Sequence, residues 1–391
     1  MKHVLQCHDF VKDDMVRGEN CYLYDRSGKK YVDFESGIWC TVLGHAHSGI
    51  NRRMIEQISK VTHLGPKYTS YLAEEAAVTV MGTLPEKNGK CLFLSSGSEA
   101  VEFGVNVAKL VTGKKVMLTL SESYLSAYGS AGARDDSWMT IDSEDCHKCN
   151  QPDCVFGCPN LKGIDFEKVA AFVLEPGSSF GKVRFPPEKL IRLLARETRN
   201  SGGLLVVDEV TTGLARTGKW YGFNHYDLKP DVVAFGKGLG NGYPVSAVTM
   251  RQEIAGQVEK SGFRYVQSHQ NDPLGCAIAS EVVKTIQEDG LVDRSEELGR
   301  RLIGHLQDLG DEFASIKEVR GKGLMAAVDF SRATGRLFAE SVAHEMLEKG
   351  FILGFSPDAN LIRFLPPLTI EEDEIDNLIE QLRLVLTTRI R

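Results

Sequence analysis

Five short apolar runs, "CLFLSS", "KVMLTL", "AAFVLEP", "GLLVVDEV" and "DVVAFGK", recur between about residues 46 and 285, with amphipathic stretches between them. None of the runs alternates polar with apolar residues, so the strands they predict have no face to offer water. A sheet buried on both faces needs helices on both sides and, where its strands are parallel, a crossover between each pair. "PEKLIRLLARETRN" carries apolar residues at helical spacing and lies between two of the runs, where a crossover belongs. The fold class expected is α/β: a large domain whose mostly parallel central sheet is covered by helices.

A chain of 391 residues exceeds the usual single core. After residue 285 the texture changes to long charged helices, "SEELGRRLIGHLQDLGDEF" and "FAESVAHEMLEKG", interrupted by "GLMAAVDF" and "NLIRFLPP". This predicts a smaller α+β domain at 286–391. Residues 1–45, with a hairpin pattern in "NCYLYDRSGKKYVDFES", are expected to join it, leaving 46–285 as the large domain with a cysteine-rich loop at 144–160. A net charge of −7 without a concentration of Lys and Arg argues against nucleic-acid binding. No run of about 18 apolar residues is present, and "MKHVLQCHDFVKDD" lacks the apolar core of a signal peptide, so neither a membrane span nor secretion is expected. Nine cysteines then fit a reducing cytoplasm, as free thiols or metal ligands.

Three stretches carry chemistry. "LSSGSEAVEFGVNVAKL" ends a strand in small residues and begins a helix at once, a place where backbone N–H groups and the helix dipole can bind phosphate. "LLVVDEV" sets Asp208 and Glu209 at the carboxyl edge of the sheet, where open α/β sheets bind ligands. "VVAFGKGLG" ends the next strand in Lys237, whose amine, partly desolvated, can act as a nucleophile. Singly, each has a plainer reading: an ordinary N-cap, a turn carboxylate, a surface lysine beside glycines. Together they are an anchor, a partner for a pyridinium nitrogen and an amine, the parts that hold pyridoxal phosphate.

With these residues the sequence resembles the class III aminotransferases of pyridoxal-phosphate fold type I, the ω-aminotransferase and acetylornithine/ornithine aminotransferase group. The resemblance covers nearly the whole chain and is strongest in "VVDEVTTGLARTGKWYGFNHYDLKPDVVAFGKGLGNGYPVSAV". It implies that Lys237 forms the Schiff base with the cofactor and shuttles a proton, and that Asp208 keeps the pyridinium protonated. Gly97 and Ser98 match the phosphate loop, Tyr124 the aromatic stacked on the ring, Val210 the residue on its other face, and Glu175 the Glu-Pro carboxylate near the cofactor. Ser268 stands where the family has a Thr that reaches the neighbouring subunit's phosphate, which implies a homodimer with shared active sites.

The sequence departs from the family in two places. Tyr124 is followed by Leu125, Ser126, Ala127 and Tyr128, so the arginine for an ornithine-like α-carboxylate is absent, and Phe180 replaces an acidic residue five positions after Glu175. Trp39 aligns with the tryptophan that walls the substrate pocket of amine:pyruvate-type members, or is a plain core residue. Arg363 is either a site for the carboxylate of a 2-oxo acid or a structural ion pair. "CHKCNQPDCVFGCP" brings Cys146, Cys149, Cys154 and Cys158 together as C-x2-C-x4-C-x3-C, a spacing able to surround Zn²⁺, or less readily an iron–sulfur cluster, or to remain four reduced thiols. The function expected is ping-pong transamination from an amine or ω-amino acid to a 2-oxo acid. An isomerase on the same cofactor, either a 2,1-aminomutase or an amino-acid racemase, and a metal- or redox-sensing protein using the cysteine loop are the alternatives.

Overall fold

The computed structural model describes residues 3–8, 10–155, 158–178, 182–333, 337–356 and 358–389. Met15–Glu19 (β1), Tyr22–Asp25 (β2) and Lys30–Asp33 (β3) form an antiparallel meander. Asp25 closes the turn between β2 and β3 by accepting the N–H groups of Ser27 and Lys29 at 2.9 and 3.1 Å.

Seven strands follow: Gly89–Leu94 (β4), Val116–Leu120 (β5), Trp138–Ile141 (β6), Val169–Leu174 (β7), Leu204–Asp208 (β8), Val232–Phe235 (β9) and Ser246–Arg251 (β10). They form one sheet in the order β4-β10-β9-β8-β7-β5-β6. β10 is antiparallel to both its neighbours, and the remaining contacts are parallel. Every residue of β7, β8 and β9 is buried, as uninterrupted apolar runs require. Val206 of β8 packs in the core that contains helix Gly97–Thr112, while Leu205 and Val207 pack in the core that contains helix Glu188–Asn200. Because β4, β5, β7, β8 and β9 point the same way, the segments that follow them emerge along one edge.

The last third contributes Glu318–Lys322 (β11), Met325–Asp329 (β12), Phe351–Ile352 (β13), Gly354–Ser356 (β14) and Leu361–Phe364 (β15). β11, β12, β15 and β14 form an antiparallel sheet in that order. β13 instead pairs in parallel with β3, setting Phe351 opposite Val32 and Ile352 opposite Asp33. Arg216, 1% exposed, reaches from the large sheet's side to the backbone carbonyls of Leu324, at 3.0 Å, and Pro366. Its burial lowers the guanidinium pKa to about 9, and no carboxylate pairs with it among the described residues.

Helix Leu291–Glu312 lies so close to the β11–β12 turn that a Cβ at Gly299 would sit 2.2 Å from the backbone carbonyl of Gly323. Replacing a mid-helix glycine by alanine ordinarily stabilises by about 1 kcal/mol. Gly299→Ala is expected to destabilise by roughly 2–3 kcal/mol instead, read as a lower denaturant midpoint with an unchanged slope.

Candidate active site

Three strand ends meet at the carboxyl edge. A Cβ on Gly97, after β4, would lie 2.6 Å from a methyl of Val210, after β8. A Cβ on Gly236, after β9, would lie 3.0 Å from Gly97 Cα and 3.2 Å from the same valine. Only glycine lets these segments close together, and the residues beside them are thereby fixed.

Asp208 ends β8 at 3% exposure and accepts one hydrogen bond among the described residues, from the Val210 N–H to Oδ1 at 2.9 Å. Burial raises its pKa to about 7, opposed by that hydrogen bond and by the charge of Lys237. Glu209, adjacent in sequence, is spent on structure: it accepts the N–H groups of Gly222 and Phe223, both at 2.8 Å, and the Thr212 hydroxyl at 2.7 Å. Lys237 is half-buried and opens a 3₁₀ turn, Lys237–Gly240, with φ at +40°. Its Nζ donates to Thr211 Oγ1 at 3.0 Å and stands 5.3 Å from the centroid of the Trp39 ring. Left-handed backbone at a lysine carries strain of order 1–3 kcal/mol, which the packed glycines on either side hold in place.

Helix Gly97–Thr112 begins with a capping box in which Ser96 Oγ accepts the Glu99 N–H and Glu99 Oε2 accepts the Ser95 and Ser96 N–H groups at 2.9 and 2.8 Å. The cap leaves the Gly97 and Ser98 N–H groups without a partner among the described residues, so the N-cap and the anion cradle coexist. Ser98 Oγ accepts the N–H of Ala127 at 2.9 Å, and buried Glu175, just past β7, accepts the N–H of Tyr124 at 2.8 Å. Arg134 holds the same loop by donating to the carbonyls of Ser121, at 3.0 Å, and Ser123. Asp208 with an unengaged Oδ2, the Lys237 amine and the cradle at Gly97 and Ser98 fit a ligand with a cationic ring nitrogen, a carbonyl and a phosphate.

A second group closes over Lys237. Ser36, Gly37, Ile38 and Trp39 have φ of 51°, 57°, 57° and 67°, a left-handed turn that sets Trp39 against Met325, Ala327, Leu361 and Leu365 at 4% exposure. The Arg363 guanidinium lies 5.2 Å from the Trp39 ring centroid and pairs with Glu35 at 3.5 Å. Gly354 makes room for that pair, since its Cβ would stand 2.9 Å from Glu35 Oε1. Arg363 Nε and Trp39 Nε1 are buried without partners among the described residues. Glu35 and Thr211 were not singled out by sequence; the hydroxyl in "DEVTTG" was a signal for Thr211, while Glu35 had none.

Other expected residues fall elsewhere. Ser268 is exposed, next to Gln267, whose amide donates to Ser95 Oγ at 3.2 Å and Glu99 Oε1 at 3.0 Å. Phe180 lies outside the described residues. Cys146 is buried with the Asn160 amide 3.5 Å from its sulfur, Cys149 is exposed, and Cys154 and Cys158 are half-buried. Sulfurs on one zinc stand about 3.8 Å apart. Among the described residues, no three of these thiols come within 4.8 Å of one another.

The family model described as Aminotransferase class-III matches residues 7–129 and 140–386. A [LysW]-aminoadipate semialdehyde/glutamate semialdehyde transaminase of Sulfurisphaera tokodaii is 30% identical over 369 residues, covering 93% of this chain and 92% of its own. An acetylornithine aminotransferase of Aquifex aeolicus is 30% identical over 383 residues, covering 95% and 96%. The solved structure of an acetylornithine aminotransferase from Elizabethkingia anophelis superposes with a TM-score of 0.85 at 25% identity, over 99% of this chain and 97% of that one.

A carboxyl group whose folded pKa is raised binds its proton more tightly in the folded state, so it destabilises the fold as pH rises from about 4 to above 7. Asp208→Asn is therefore expected to stabilise the ligand-free protein at pH 8 by about 2–4 kcal/mol. The gain should shrink to near zero at pH 4, and thermal melts at the two pH values check it.

Proposed function

Because the chain belongs to the class III aminotransferases, enzymes that use pyridoxal phosphate, we propose that Lys237, Asp208, Gly97, Ser98, Tyr124, Glu175 and Val210 hold that cofactor. Transfer then runs from a terminal amine or ω-amino acid to a 2-oxo acid in two half-reactions. Bound at this edge, pyridoxal phosphate supplies an electron sink for the carbanion left when a Cα proton departs. The support is the juxtaposition of Asp208, buried with one oxygen unengaged, and the Lys237 amine at the ends of neighbouring strands.

Each residue then has a physical task. Asp208 keeps a proton on the ring nitrogen, and a cation beside its carboxylate offsets the burial that raises its pKa. Lys237 Nζ, oriented by Thr211, would take the proton from the substrate's amine-bearing carbon and deliver it to C4′ of the cofactor. Gly97 and Ser98 bind phosphate at the helix N-terminus, Val210 and Tyr124 cover the two ring faces, and Glu175 holds Tyr124's backbone. Trp39 keeps water from the reacting atoms. Arg363, turned toward Trp39 and paired only loosely with Glu35, takes the carboxylate of the 2-oxo acid, which displaces Glu35.

The donor follows from what the loop after Tyr124 lacks. Leu125 to Tyr128 offer no cation, and Arg134 is committed to two backbone carbonyls, so a donor with an α-carboxylate finds no partner there. A primary amine, diamine or ω-amino acid needs none. The relatives named for acetylornithine make that substrate the competing donor.

The functional unit is a homodimer in which the exposed Ser268 reaches the partner subunit's cofactor phosphate. Helices Ser48–Ile58 and Tyr71–Gly82 leave Ile55, Tyr71 and Val78 exposed, an apolar surface suited to a second copy. Nine cysteines without a disulfide among those described agree with a reducing, cytoplasmic setting.

A half-reaction screen tests the function: the purified yellow protein is mixed with amines and amino acids, without any oxo acid, and its visible spectrum is followed. Bleaching by ω-amines and recovery on adding a 2-oxo acid is expected. Rapid turnover of N-acetylornithine with none of ω-amines would overturn the donor class, and product formed with no oxo acid would favour an isomerase. Lys237→Ala should lower turnover by at least about 10²–10⁴-fold. Arg363→Gln should raise KM for the oxo acid about 100-fold while leaving the amine half-reaction within a few-fold.

A further inference from the structure

His63, in the loop before helix Tyr71–Gly82, and His269, in the loop before helix Pro273–Glu288, converge on one carboxylate. His63 Nδ1 is 2.7 Å from Asp272 Oδ1, and His269 Nδ1 is 2.6 Å from Asp272 Oδ2. The imidazole centroids are 4.7 Å apart, and one ligand atom from each of the three residues lies within 4.8 Å of the others. Asp272 precedes Pro273 at the start of a 16-residue helix, where its side chain would ordinarily cap; it makes no cap hydrogen bond and is 9% exposed. The carboxylate is thus diverted from its helix to the two rings. Neither Nε2 has a hydrogen-bond partner among the described residues.

We propose that His63, Asp272 and His269 form a binding site for a divalent transition-metal ion of the zinc class, using both Nδ1 atoms and one carboxylate oxygen. Two imidazoles and a carboxylate with a position left open are a common ligand set for such ions. Bonds of about 2.0–2.1 Å at tetrahedral angles separate the ligand atoms by about 3.3 Å. Because His63 now meets Oδ1 and His269 meets Oδ2, sharing one oxygen requires one contact to open by about 0.6 Å and the other ring to shift across the carboxylate, movements open to two half-exposed imidazoles. Each ring would then carry its proton on Nε2, and His269 and Asp272 line an adjoining cavity of about 260 Å³ beside Ser95 and Tyr243. Because Gln267 ties the same loop to Ser95 and Glu99, an ion here would clamp the loop against the capping box of helix Gly97–Thr112. The site uses none of the residues assigned to the transamination chemistry.

The test is metal titration of the purified holoenzyme after EDTA treatment and desalting, in a Cys149→Ser/Cys154→Ser background so that thiols do not compete. One Co(II) per chain is expected, with weak visible d–d bands and no thiolate charge-transfer band in the near ultraviolet. Zn(II) should displace it. His63→Ala and His269→Ala, both on partly exposed loop residues, should each weaken Zn(II) binding by about 10–100-fold or more, while far-ultraviolet circular dichroism is unchanged. Zn(II) stoichiometry and affinity that are the same in both variants as in their parent, or no ion retained above the buffer control, would overturn the site.

Discussion

A carboxylate that ends a buried strand with a single hydrogen bond among the described residues sets the terms for everything around it. Asp208 sits where water cannot solvate it, so its charge is tolerated only if a cation faces it. Lys237 supplies part of that charge from the next strand, and in the proposed function a protonated ring nitrogen would supply the rest. The same burial that makes the Asp208 charge unfavourable in the empty protein would, in the proposed function, make it a strong partner for a bound cation. Glu209 escapes the problem by taking two backbone N–H groups and a hydroxyl. Two carboxylates side by side in sequence thus divide into one left with an open oxygen and one fully engaged, by how many donors each meets among the described residues.

The edge is exact in shape because its contacts are backbone against side chain. Gly97 and Gly236 allow Val210 to stand between strand ends, and any side chain there would separate the anion cradle from the amine. Strain is placed beside this packing at Lys237 and through Ser36–Trp39, where four successive residues are left-handed. Such a turn costs about 1–2 kcal/mol for each non-glycine residue, and it persists because Trp39 is packed against Met325, Ala327 and Leu361 of the smaller sheet and Leu365 just beyond it.

The parallel strands were legible because burial on both faces removes polar alternation and leaves short, unbroken apolar runs bounded by turn residues, a pattern that suits a doubly covered strand. Asp208, Lys237 and Gly97 were legible as strand-end residues, and the resemblance to class III aminotransferases gave them roles. The antiparallel direction of β10 was not, since its reversal depends on the turn Lys237–Gly240 and the loop after it. Glu35 was hidden because its partner, Arg363, stands near the opposite end of the chain, and because "ESGIW" has no composition that announces a left-handed turn. Asp272 before Pro273 reads as a helix cap, and only the fold shows two imidazoles claiming it. The cysteine spacing left open a metal site or four reduced thiols; the four are neighbours, yet no three sulfurs among the described residues lie within 4.8 Å of one another, with Cys146 buried and Cys149 exposed.

The pairing of β3 with β13 has a consequence for the order of assembly during synthesis. In the proposed site, the residues that one subunit would give to its own cofactor all lie before the end of β10, whereas Ser268, proposed for the partner subunit's cofactor, comes after it. Trp39 and Glu35 come early in the chain but gain Arg363, Met325 and Leu361 only when the last strands are made. Contacts of such sequence separation form late and slowly. A growing chain on the ribosome therefore has the residues proposed to hold the cofactor before it has the partners that fix Trp39 and Glu35 in place.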